Sequence, residues 1–300
     1  GNRQGRHVLF HPGMSTAFKD HFSKQAPDYA RYRPNYPAEL FSWLASLAPS
    51  RSCAWDCGTG SGQAAAGLAG HFDRVIATDP SKKQLEHAEP HPRIDYRVAS
   101  AEASLLDTAS IDLVTVAQAI HWFDLERFFA EARRVLKPCG IIAAWTYTLL
   151  DVEAGVDELV SDYYRNVVGP YWPPERRMVD DRYRSLPFPF DPVAAPTFEI
   201  RTEWSLDDLL GYLGTWSATQ AYVKATGIDP LLALNKRLAP LWPDPASRKI
   251  LRWPLHMRVG RSPPQVAGSA RKASTAAWAT CICTWSTSPR TASWSRASWS

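Results

Sequence analysis

The sequence has no long hydrophobic run and few cysteines, and each shortage argues against a class of protein. No apolar stretch approaches the roughly 18 residues of a membrane-spanning helix. The N-terminus has no basic segment followed by a long apolar one, so we expect no secretory signal and a cytoplasmic protein. The five cysteines lack paired zinc spacing and are too sparse for a disulfide framework, so we expect reduced thiols and no metal site.

The basic charge of the sequence comes from its two ends. The formal charge is +4, but residues 261–300 contain five basic residues and no acid, and residues 1–13 contain two more. The body, residues 14–260, is therefore mildly acidic, and we expect no nucleic-acid partner. We interpret residues 1–13 as a leader segment. Residues 261–300 lack an aliphatic period, so we expect a disordered tail of the kind that a shifted reading frame would produce.

A glycine-rich loop between a strand and a helix is the main functional motif. An apolar run ends at Asp56, and an Ala-rich helix begins near Gln63. Between them lie Gly58, Gly60 and Gly62. Glycine permits positive φ and allows a ligand to approach the main chain. A strand, glycine loop and helix in this order are typical of a cofactor-binding site.

The pattern around this loop predicts an α/β fold with a doubly wound, mostly parallel sheet. The predicted strands are apolar runs at about 53–57, 74–78, 94–99, 111–116 and 141–146. Residues 14–150 then form a Rossmann-like, cofactor-binding core. Residues 151–260 predict a mainly helical cap and the final strands. In this second part we expect one helix over 206–223, and a strand over 251–259 that Pro254 interrupts.

Two kinds of cofactor compete for the loop. Dinucleotide sites use G-x-G-x-x-G, whereas here Gln63 follows three alternating glycines. Asp56 is unfavourable beside a pyrophosphate but favourable beside an ammonium group, which S-adenosylmethionine has. Asp79 ends the second strand, where a carboxylate can accept hydrogen bonds from both ribose hydroxyls. These features favour S-adenosylmethionine.

Further candidate contacts follow the next strands. Ala101 and Glu102 come after the third strand, where the adenine edge would lie. Gln118 and Ala119 come after the fourth, beside the methionine end. Tyr32 belongs to an N-terminal arm, together with Tyr29 and Arg33, that is a candidate lid over the cofactor. A fixed arm without that role explains the same residues equally well.

On these residues the chain resembles the class I S-adenosylmethionine-dependent methyltransferases, in particular the methyltransferase type 11 branch and small-molecule enzymes similar to trans-aconitate methyltransferase. The motifs that support this are Asp56-Cys57-Gly58-Thr59-Gly60-Ser61-Gly62, Ala77-Thr78-Asp79, Ala101-Glu102, Gln118-Ala119-Ile120-His121-Trp122-Phe123-Asp124 and Arg134-Val135-Leu136-Lys137-Pro138-Cys139-Gly140. The resemblance covers roughly residues 15–260. It implies a seven-stranded sheet with an antiparallel last strand, and cofactor contacts from Gly58, Gly60, Asp79 and Glu102. Cys139 stands where the family usually has glycine, which matters only if this position needs positive φ.

Methyl transfer requires alignment, exclusion of water and, for a protonated acceptor, a base. His121 is the candidate base, although His121 and Trp122 could instead be packing residues. Candidate clamps for a substrate carboxylate are Arg33, Arg165, Arg176 and Arg177. Candidates for an apolar substrate pocket, or for the cap core, are Trp172, Trp204 and Trp216.

We therefore expect an enzyme that transfers a methyl group from S-adenosylmethionine to a small molecule, as a monomer or homodimer. The acceptor atom, oxygen, nitrogen or carbon, stays open. One alternative is a non-catalytic S-adenosylmethionine-binding protein of the same fold. Another is an NAD(P)-dependent oxidoreductase, which the missing third fingerprint glycine disfavours.

Overall fold

The computed structural model of the protein describes Tyr32 and residues 34–264. The predictions for residues 1–13, Tyr29, Arg33 and residues 265–300 lie outside the described residues.

Strands and helices alternate in the first half of the chain, as the sequence predicts. The elements are α1 (Ala38–Leu47), β1 (Cys53–Cys57), α2 (Gln63–Ala69), β2 (Arg74–Asp79), α3 (Lys82–Leu85), β3 (Ile94–Val98), β4 (Ile111–Ala117), a 3₁₀ turn (Ile120–Trp122), α4 (Leu125–Val135) and β5 (Leu136–Tyr147). Buried residues fill β4 almost completely, because it lies inside a parallel sheet that is covered on both faces.

The second half is mainly helical. Its elements are α5 (Ala154–Asp162), a π-helix (Tyr163–Val167), a 3₁₀ turn (Gly169–Tyr171), α6 (Arg176–Asp180), β6 (Asp191–Pro192), β7 (Glu199–Trp204), α7 (Leu206–Gly214), α8 (Ser217–Thr226), α9 (Leu231–Leu238), a 3₁₀ turn (Ala239–Leu241) and β8 (Lys249–Arg261). We call the helical segments 154–180 and 206–241 the cap. The second of them is inserted between β7 and β8.

The sheet is doubly wound and mostly parallel, as predicted. Its order is β3-β2-β1-β4-β5-β8-β6, and β7 also pairs with β8. β1 to β5 pair in parallel, whereas β8 runs antiparallel to β5. The antiparallel last strand therefore agrees with the resemblance. Within the described residues the sheet has eight strands rather than seven, because the two residues of β6 pair with the end of β8.

Consecutive strand residues point to opposite faces of the sheet, so each strand supplies two hydrophobic cores. On one face, Ala54 and Leu113 pack with α1, α2 and the cap. On the other, Trp55 and Val114 pack with α4 and a segment that includes Tyr183. Both faces are thus covered by chain that follows the strands, and the carboxyl ends of the strands are left to form a site.

Two boundaries in the second half differ from the prediction. The single helix over 206–223 is wrong, because α7 ends at Gly214 and α8 begins at Ser217. Side chains of α8 satisfy the last carbonyls of α7: Gln220 Nε2 donates to the Gly214 oxygen at 2.7 Å, and Thr219 Oγ1 donates to the Leu213 oxygen at 2.9 Å. These bonds replace the missing helical ones, so the chain can turn there.

β8 is also longer than predicted and extends one residue into the predicted tail. Residues 249–254 pair with β7, and residues 255–261 pair with β5. Pro254 lies at this change of partner. Beyond Arg261, the Ser262 N–H donates to the Gly140 oxygen at 2.8 Å.

The turn inside β5 places Cys139 in the left-handed region. Its φ is 61°, which a residue with a side chain rarely adopts. The position where the sequence departs from the family pattern is thus one that favours glycine.

Candidate functional site

A large cavity lies where the carboxyl ends of the strands meet the cap. Its volume is about 980 Å³. Predicted site residues that line it come from four successive strand ends and the turn after β4. They are Gly58, Gly60, Asp79, Ala101, Glu102, Gln118, Ala119 and His121. Parallel strands bring these residues together because their carboxyl ends share one edge of the sheet.

The glycine loop is fixed to β2 and open toward the cavity. The N–H groups of Gly58 and Thr59 both donate to the Thr78 oxygen, at 2.9 and 3.0 Å. A Cβ added at Gly58 would lie 2.7 Å from the Ala119 Cβ, so no side chain fits there. A Cβ added at Gly60 would meet nothing within 4 Å. The space in front of Gly60 can therefore hold a ligand against the main chain.

Asp79 lies beside this loop in the cavity wall. Its Oδ2 accepts from the Gly60 N–H at 2.9 Å, and its Oδ1 accepts from the Ser81 N–H at 2.8 Å. The side chain is buried but lines the cavity. Asp79 is therefore placed to accept hydrogen bonds from a ligand in the cavity.

Asp56 is turned into the protein rather than into the cavity. Its carboxylate accepts from the Thr59 hydroxyl at 2.5 Å and from the Thr115 hydroxyl at 2.7 Å. Burial raises the pKa of Asp56 to about 6. The carboxylate thus joins the glycine loop to β4. This geometry favours a role in shaping the loop over direct contact with an ammonium group.

Gly62 and Tyr32 also lie outside the cavity lining. Gly62 has a φ of 86°, and a Cβ there would lie 2.5 Å from the Tyr96 hydroxyl oxygen. Tyr32 packs against α7, where a Cβ on Gly211 would lie 2.5 Å from the Tyr32 ring. Gly62 therefore shapes the start of α2, and Tyr32 packs on the cap.

The turns after β3 and β4 are tied together. Glu102 Oε1 accepts from the Asp124 N–H at 3.1 Å, and Asp124 caps α4 by accepting from the Arg127 N–H at 3.3 Å. Gln118 has a φ of 56°, which is uncommon for a residue with a side chain and is often found at functional sites.

His121 is a neutral imidazole in the cavity wall. Its Nδ1 lies 3.0 Å from the Tyr183 hydroxyl oxygen. Burial, with a further contribution from the Arg176 charge, lowers the pKa of His121 to about 3. The sequence could not predict the contact with Tyr183, which is 62 residues away along the chain.

Aromatic residues of the cap close the cavity on the other side. Of the predicted tryptophans, Trp172 and Trp216 line it. Trp204 instead packs against Trp253, with ring centroids 5.3 Å apart. Tyr36, Tyr147 and Tyr212 also line the cavity, and the sequence prediction missed them. Tyr147 is the last residue of β5. Its position at a fifth strand end is the sequence signal that predicts it as a site residue.

Among the predicted arginines within the described residues, Arg176 alone lines the cavity. Its guanidinium lies 4.6 Å from the Trp172 ring centroid, and its Nε donates to the Tyr164 hydroxyl at 2.9 Å. Arg165 and Arg177 are exposed. One guanidinium is therefore held beside the aromatic part of the cavity.

The charged lining fits a cationic cofactor better than a pyrophosphate. Acids are contributed by Asp79, Glu102, Asp124 and Glu175, and bases by Arg127 and Arg176. Excess negative charge attracts a sulfonium and an ammonium group and repels phosphates. Together with the open space in front of Gly60, these charged lining residues fit S-adenosylmethionine.

Comparison with known proteins identifies the family. A family model described as a methyltransferase domain matches residues 55–144. A candidate methyltransferase of Dictyostelium discoideum is 37% identical over 227 residues, which cover 74% of this chain and 86% of that protein. The chain belongs to the methyltransferase family. An uncharacterised methyltransferase of Mycobacterium tuberculosis H37Rv is 31% identical over 225 residues, covering 73% of this chain and 88% of that protein.

A solved structure and a yeast relative agree with this identification. The structure of a candidate type II methyltransferase from Anaeromyxobacter dehalogenans has a TM-score of 0.74 and 48% identity, covering 78% of this chain and 99% of that one. A Saccharomyces cerevisiae protein assigned as an S-adenosylmethionine-dependent methyltransferase is 32% identical over 132 residues, covering 41% of this chain and 45% of that protein. Membership of the methyltransferase family, together with a cavity lining that fits S-adenosylmethionine, confirms the predicted cofactor. The cofactor, when bound, supplies a methyl group activated by a sulfonium centre.

Proposed function

We propose that this methyltransferase acts on a small-molecule acceptor that binds between the glycine loop and the cap. The observation that supports this best is the cavity of about 980 Å³, which the strand ends line on one side and cap aromatics on the other. Cavities of roughly 300–1,000 Å³ are typical of sites for small ligands. No helix within the described residues is long and apolar enough to cross a membrane.

The cofactor roles follow from the positions of the lining residues. Asp79 accepts hydrogen bonds from the ribose hydroxyls, because it lines the cavity beside Gly60. Ala101 and Glu102 border the adenine. The methionine end lies against Gln118, Ala119 and the main chain at Gly58 and Gly60. These residues bind the cofactor, orient it and exclude water.

Three other predicted residues act by shaping the site. Asp56 and Gly62 hold the glycine loop in its conformation. Tyr32 packs on α7 and supports the cap.

His121 is the proposed base for an acceptor that must lose a proton. The acceptor binds between His121 and the rings of Trp172 and Trp216.

The test is a labelling experiment with the full chain. The protein is incubated with S-adenosylmethionine labelled in the methyl group and with a metabolite extract, separated into small-molecule and macromolecular fractions. We expect labelled small molecules and an equal amount of S-adenosylhomocysteine. Label in protein or nucleic acid would refute the acceptor class. Binding of S-adenosylhomocysteine without any turnover would favour the non-catalytic alternative.

The similarity to trans-aconitate methyltransferase, the cytoplasmic location, the monomeric or homodimeric state and the lack of a nucleic-acid partner stay predictions from the sequence.

A further inference from the structure

Arg176 places a positive charge in the part of the cavity that the cap closes. Arg127 and Arg176 both line the cavity, but Arg127 is exposed, whereas the Arg176 side chain is only 20% exposed. Arg176 begins α6, which packs against the 3₁₀ turn that contains His121. Burial, and after it the Arg176 charge, lower the pKa of His121 to about 3. Arg176 therefore lies on the side of the cavity where the acceptor is proposed to bind.

Two hydrogen bonds hold one edge of the Arg176 guanidinium. Its Nε donates to the Tyr164 hydroxyl at 2.9 Å, and the Tyr164 hydroxyl donates in turn to the Asp180 carboxylate. The Arg176 Nε also lies 3.7 Å from Asp180 Oδ1. Tyr164 is buried, so this edge is occupied by protein groups that have a fixed position.

The guanidinium also lies over aromatic rings. Its central carbon is 4.6 Å from the Trp172 ring centroid and 5.5 Å from the Tyr164 ring centroid. These two rings are 5.0 Å apart, and each lies 5.6 Å from the Trp216 ring. We call Tyr164, Trp172 and Trp216 the ring cluster. Stacking on aromatic rings stabilises a guanidinium and restricts its orientation.

The opposite edge of the guanidinium is available to a ligand. Within the described part of the chain, Nε is the only nitrogen of the Arg176 guanidinium that donates a hydrogen bond to another residue. The two Nη groups form a planar fork, which matches the two oxygens of a carboxylate. Because Arg176 lines the cavity, a molecule bound there can accept from this fork.

The ring cluster disfavours a cationic acceptor. Two tryptophans and a tyrosine could attract a cation through their ring faces. Arg176 already provides such a cation to Trp172 and Tyr164. An ammonium group beside them would meet a like charge in a partly buried place, where solvent screens the repulsion weakly. An aliphatic amine therefore fits this part of the cavity badly.

Nearby acids limit how much negative charge the acceptor can carry. Glu175 lines the cavity next to Arg176, and Asp180 Oδ1 is 3.7 Å from the Arg176 Nε. A phosphate monoester carries about two negative charges at neutral pH. Both acids would repel it, and one guanidinium would have to compensate for all of this charge. A single carboxylate fits better.

We propose that Arg176 binds a carboxylate of the acceptor through its two Nη groups, while Trp172 and Trp216 pack against the apolar part of the acceptor. The acceptor is therefore an organic acid with an apolar or aromatic body. This proposal rests on the proposed small-molecule methylation and names the class of acceptor. The carboxylate is a recognition group that orients the acceptor in the cavity before methyl transfer. Arg176 is thus a specificity-determining residue.

The cofactor carries a carboxylate too, at its methionine end. We place that end against the turn after β4 and the glycine loop, whereas Arg176 belongs to the cap. Replacing Arg176 should therefore weaken binding of the acceptor and leave binding of the cofactor unchanged. The affinity for S-adenosylhomocysteine distinguishes the two carboxylates, since this compound keeps the methionine carboxylate.

A matched pair of probes tests the Arg176 site without any turnover. Phenylpropionate and phenylpropionamide have nearly the same shape, but only phenylpropionate is charged. Each is titrated into the full chain saturated with S-adenosylhomocysteine. We expect phenylpropionate to bind at least about tenfold more tightly, because the fork makes charge-assisted hydrogen bonds to it. Equal affinities, or binding of neither probe, would overturn the proposal.

Two neighbouring arginines provide the variant and its control. Arg176→Met keeps an unbranched apolar side chain without the charge, and Arg177→Met makes the same change at an exposed position. We expect the preference for phenylpropionate to be lost in Arg176→Met and kept in Arg177→Met. Affinity for phenylpropionamide and S-adenosylhomocysteine should not change in either variant.

Two other results at position 176 would overturn the proposal. An equal loss of both probes in Arg176→Met would show that Arg176 only supports the ring cluster. A loss of S-adenosylhomocysteine affinity would show that Arg176 binds the cofactor carboxylate. If Arg176→Met does not fold, Arg176→Lys keeps the charge but lacks the fork. It should reduce the preference for phenylpropionate, and an unchanged preference would overturn the bidentate contact.

Turnover separates the acceptor class from methylation itself. A metabolite extract is divided by ion exchange into anionic, neutral and cationic fractions, and each is incubated with methyl-labelled S-adenosylmethionine. We expect labelled carboxylic acids from the anionic fraction, with a KM at least about tenfold higher in Arg176→Met than in Arg177→Met. Label in phosphate esters, neutral molecules or cations alone would overturn the carboxylate proposal while supporting small-molecule methylation. Label in no small molecule would refute the proposed function, and the probe titration would still decide the role of Arg176.

Discussion

The Gly60 N–H donates a hydrogen bond to Asp79 Oδ2 at 2.9 Å. One carboxylate therefore holds the glycine loop and also lines the cavity proposed to bind the cofactor. The loop and the end of β2 are thus coupled, because the residue proposed to recognise the ribose also fixes the main chain beside it.

Replacing Asp79 should abolish cofactor binding. Asp79→Ala removes the acceptors for the ribose hydroxyls and for the Gly60 N–H. Hydrogen bonds to a charged group contribute about 1.5–3 kcal/mol each, so we expect affinity for S-adenosylhomocysteine to fall at least about 100-fold in calorimetric titration. Asp95→Ala is the control, since Asp95 pairs with Arg74 and Arg97 outside the cavity. Unchanged affinity in Asp79→Ala would refute the ribose assignment.

The cap tryptophans provide a matched pair for the acceptor site. Trp216 lines the cavity, whereas Trp204 packs against Tyr212 and Trp253 away from it. Loss of a few apolar contacts costs about 1–2 kcal/mol. We therefore expect Trp216→Phe to raise the KM for the acceptor roughly tenfold and Trp204→Phe to leave it unchanged.

Affinity for S-adenosylhomocysteine, measured in the same proteins, should be equal in both tryptophan variants. If Trp204→Phe raised the acceptor KM as much as Trp216→Phe, the effect would come from cap stability rather than from contact with the acceptor.

Glycine at position 139 should stabilise the protein. Cys139 has a φ of 61°, a conformation that costs a residue with a side chain roughly 1–2 kcal/mol. Part of this gain is lost to the greater freedom of glycine in the unfolded chain. We expect Cys139→Gly to raise the free energy of unfolding by about 0.5–1 kcal/mol. Cys139→Ala keeps the Cβ and should show no such gain in the same denaturation experiment.

Glu131 should make stability depend on pH. Hydrogen bonds from Arg134, together with those from Ser104, lower its pKa from 4.5 to about 2. The folded protein thus favours the ionised form, and this stabilisation is present above pH 4.5 and is lost as the pH falls toward 2. Above that window, Glu131→Gln should lower the free energy of unfolding by about 2 kcal/mol, which is less than the full pKa shift implies because its partner Arg134 is partly exposed and solvent screens the pair.

The difference between wild type and Glu131→Gln should shrink as the pH falls through this window in denaturation curves. Glu126→Gln, on the same helix, is the control. A difference that stays constant from neutral to acid pH would show that the glutamine variant acts through packing rather than through charge.

The core of the fold was predictable because its signals are local. β1, the glycine loop and β2 show buried apolar runs, glycines and a terminal acid within a short stretch, and parallel strands must bring such ends together. Hence one site could be predicted from the sequence for Gly58, Gly60, Asp79, Ala101, Glu102, Gln118 and Ala119. The antiparallel β8 was predictable only through the family resemblance.

The cap and the orientation of side chains were not predictable in this way. α7 and α8 have one continuous helical pattern, and only the side-chain bonds to the carbonyls of Leu213 and Gly214 separate them. The inward turn of Asp56 depends on Thr115, which lies on another strand. Tyr183 meets His121 across the fold, and no local pattern in either segment indicates that contact.

The structure of the protein bound to S-adenosylhomocysteine would test the central claim most directly. We expect the ribose hydroxyls at Asp79, and the sulfur directed toward the part of the cavity that His121, Trp172 and Trp216 line. A ligand bound elsewhere, or a sulfur directed away from these three residues, would contradict methyl transfer to an acceptor beneath the cap.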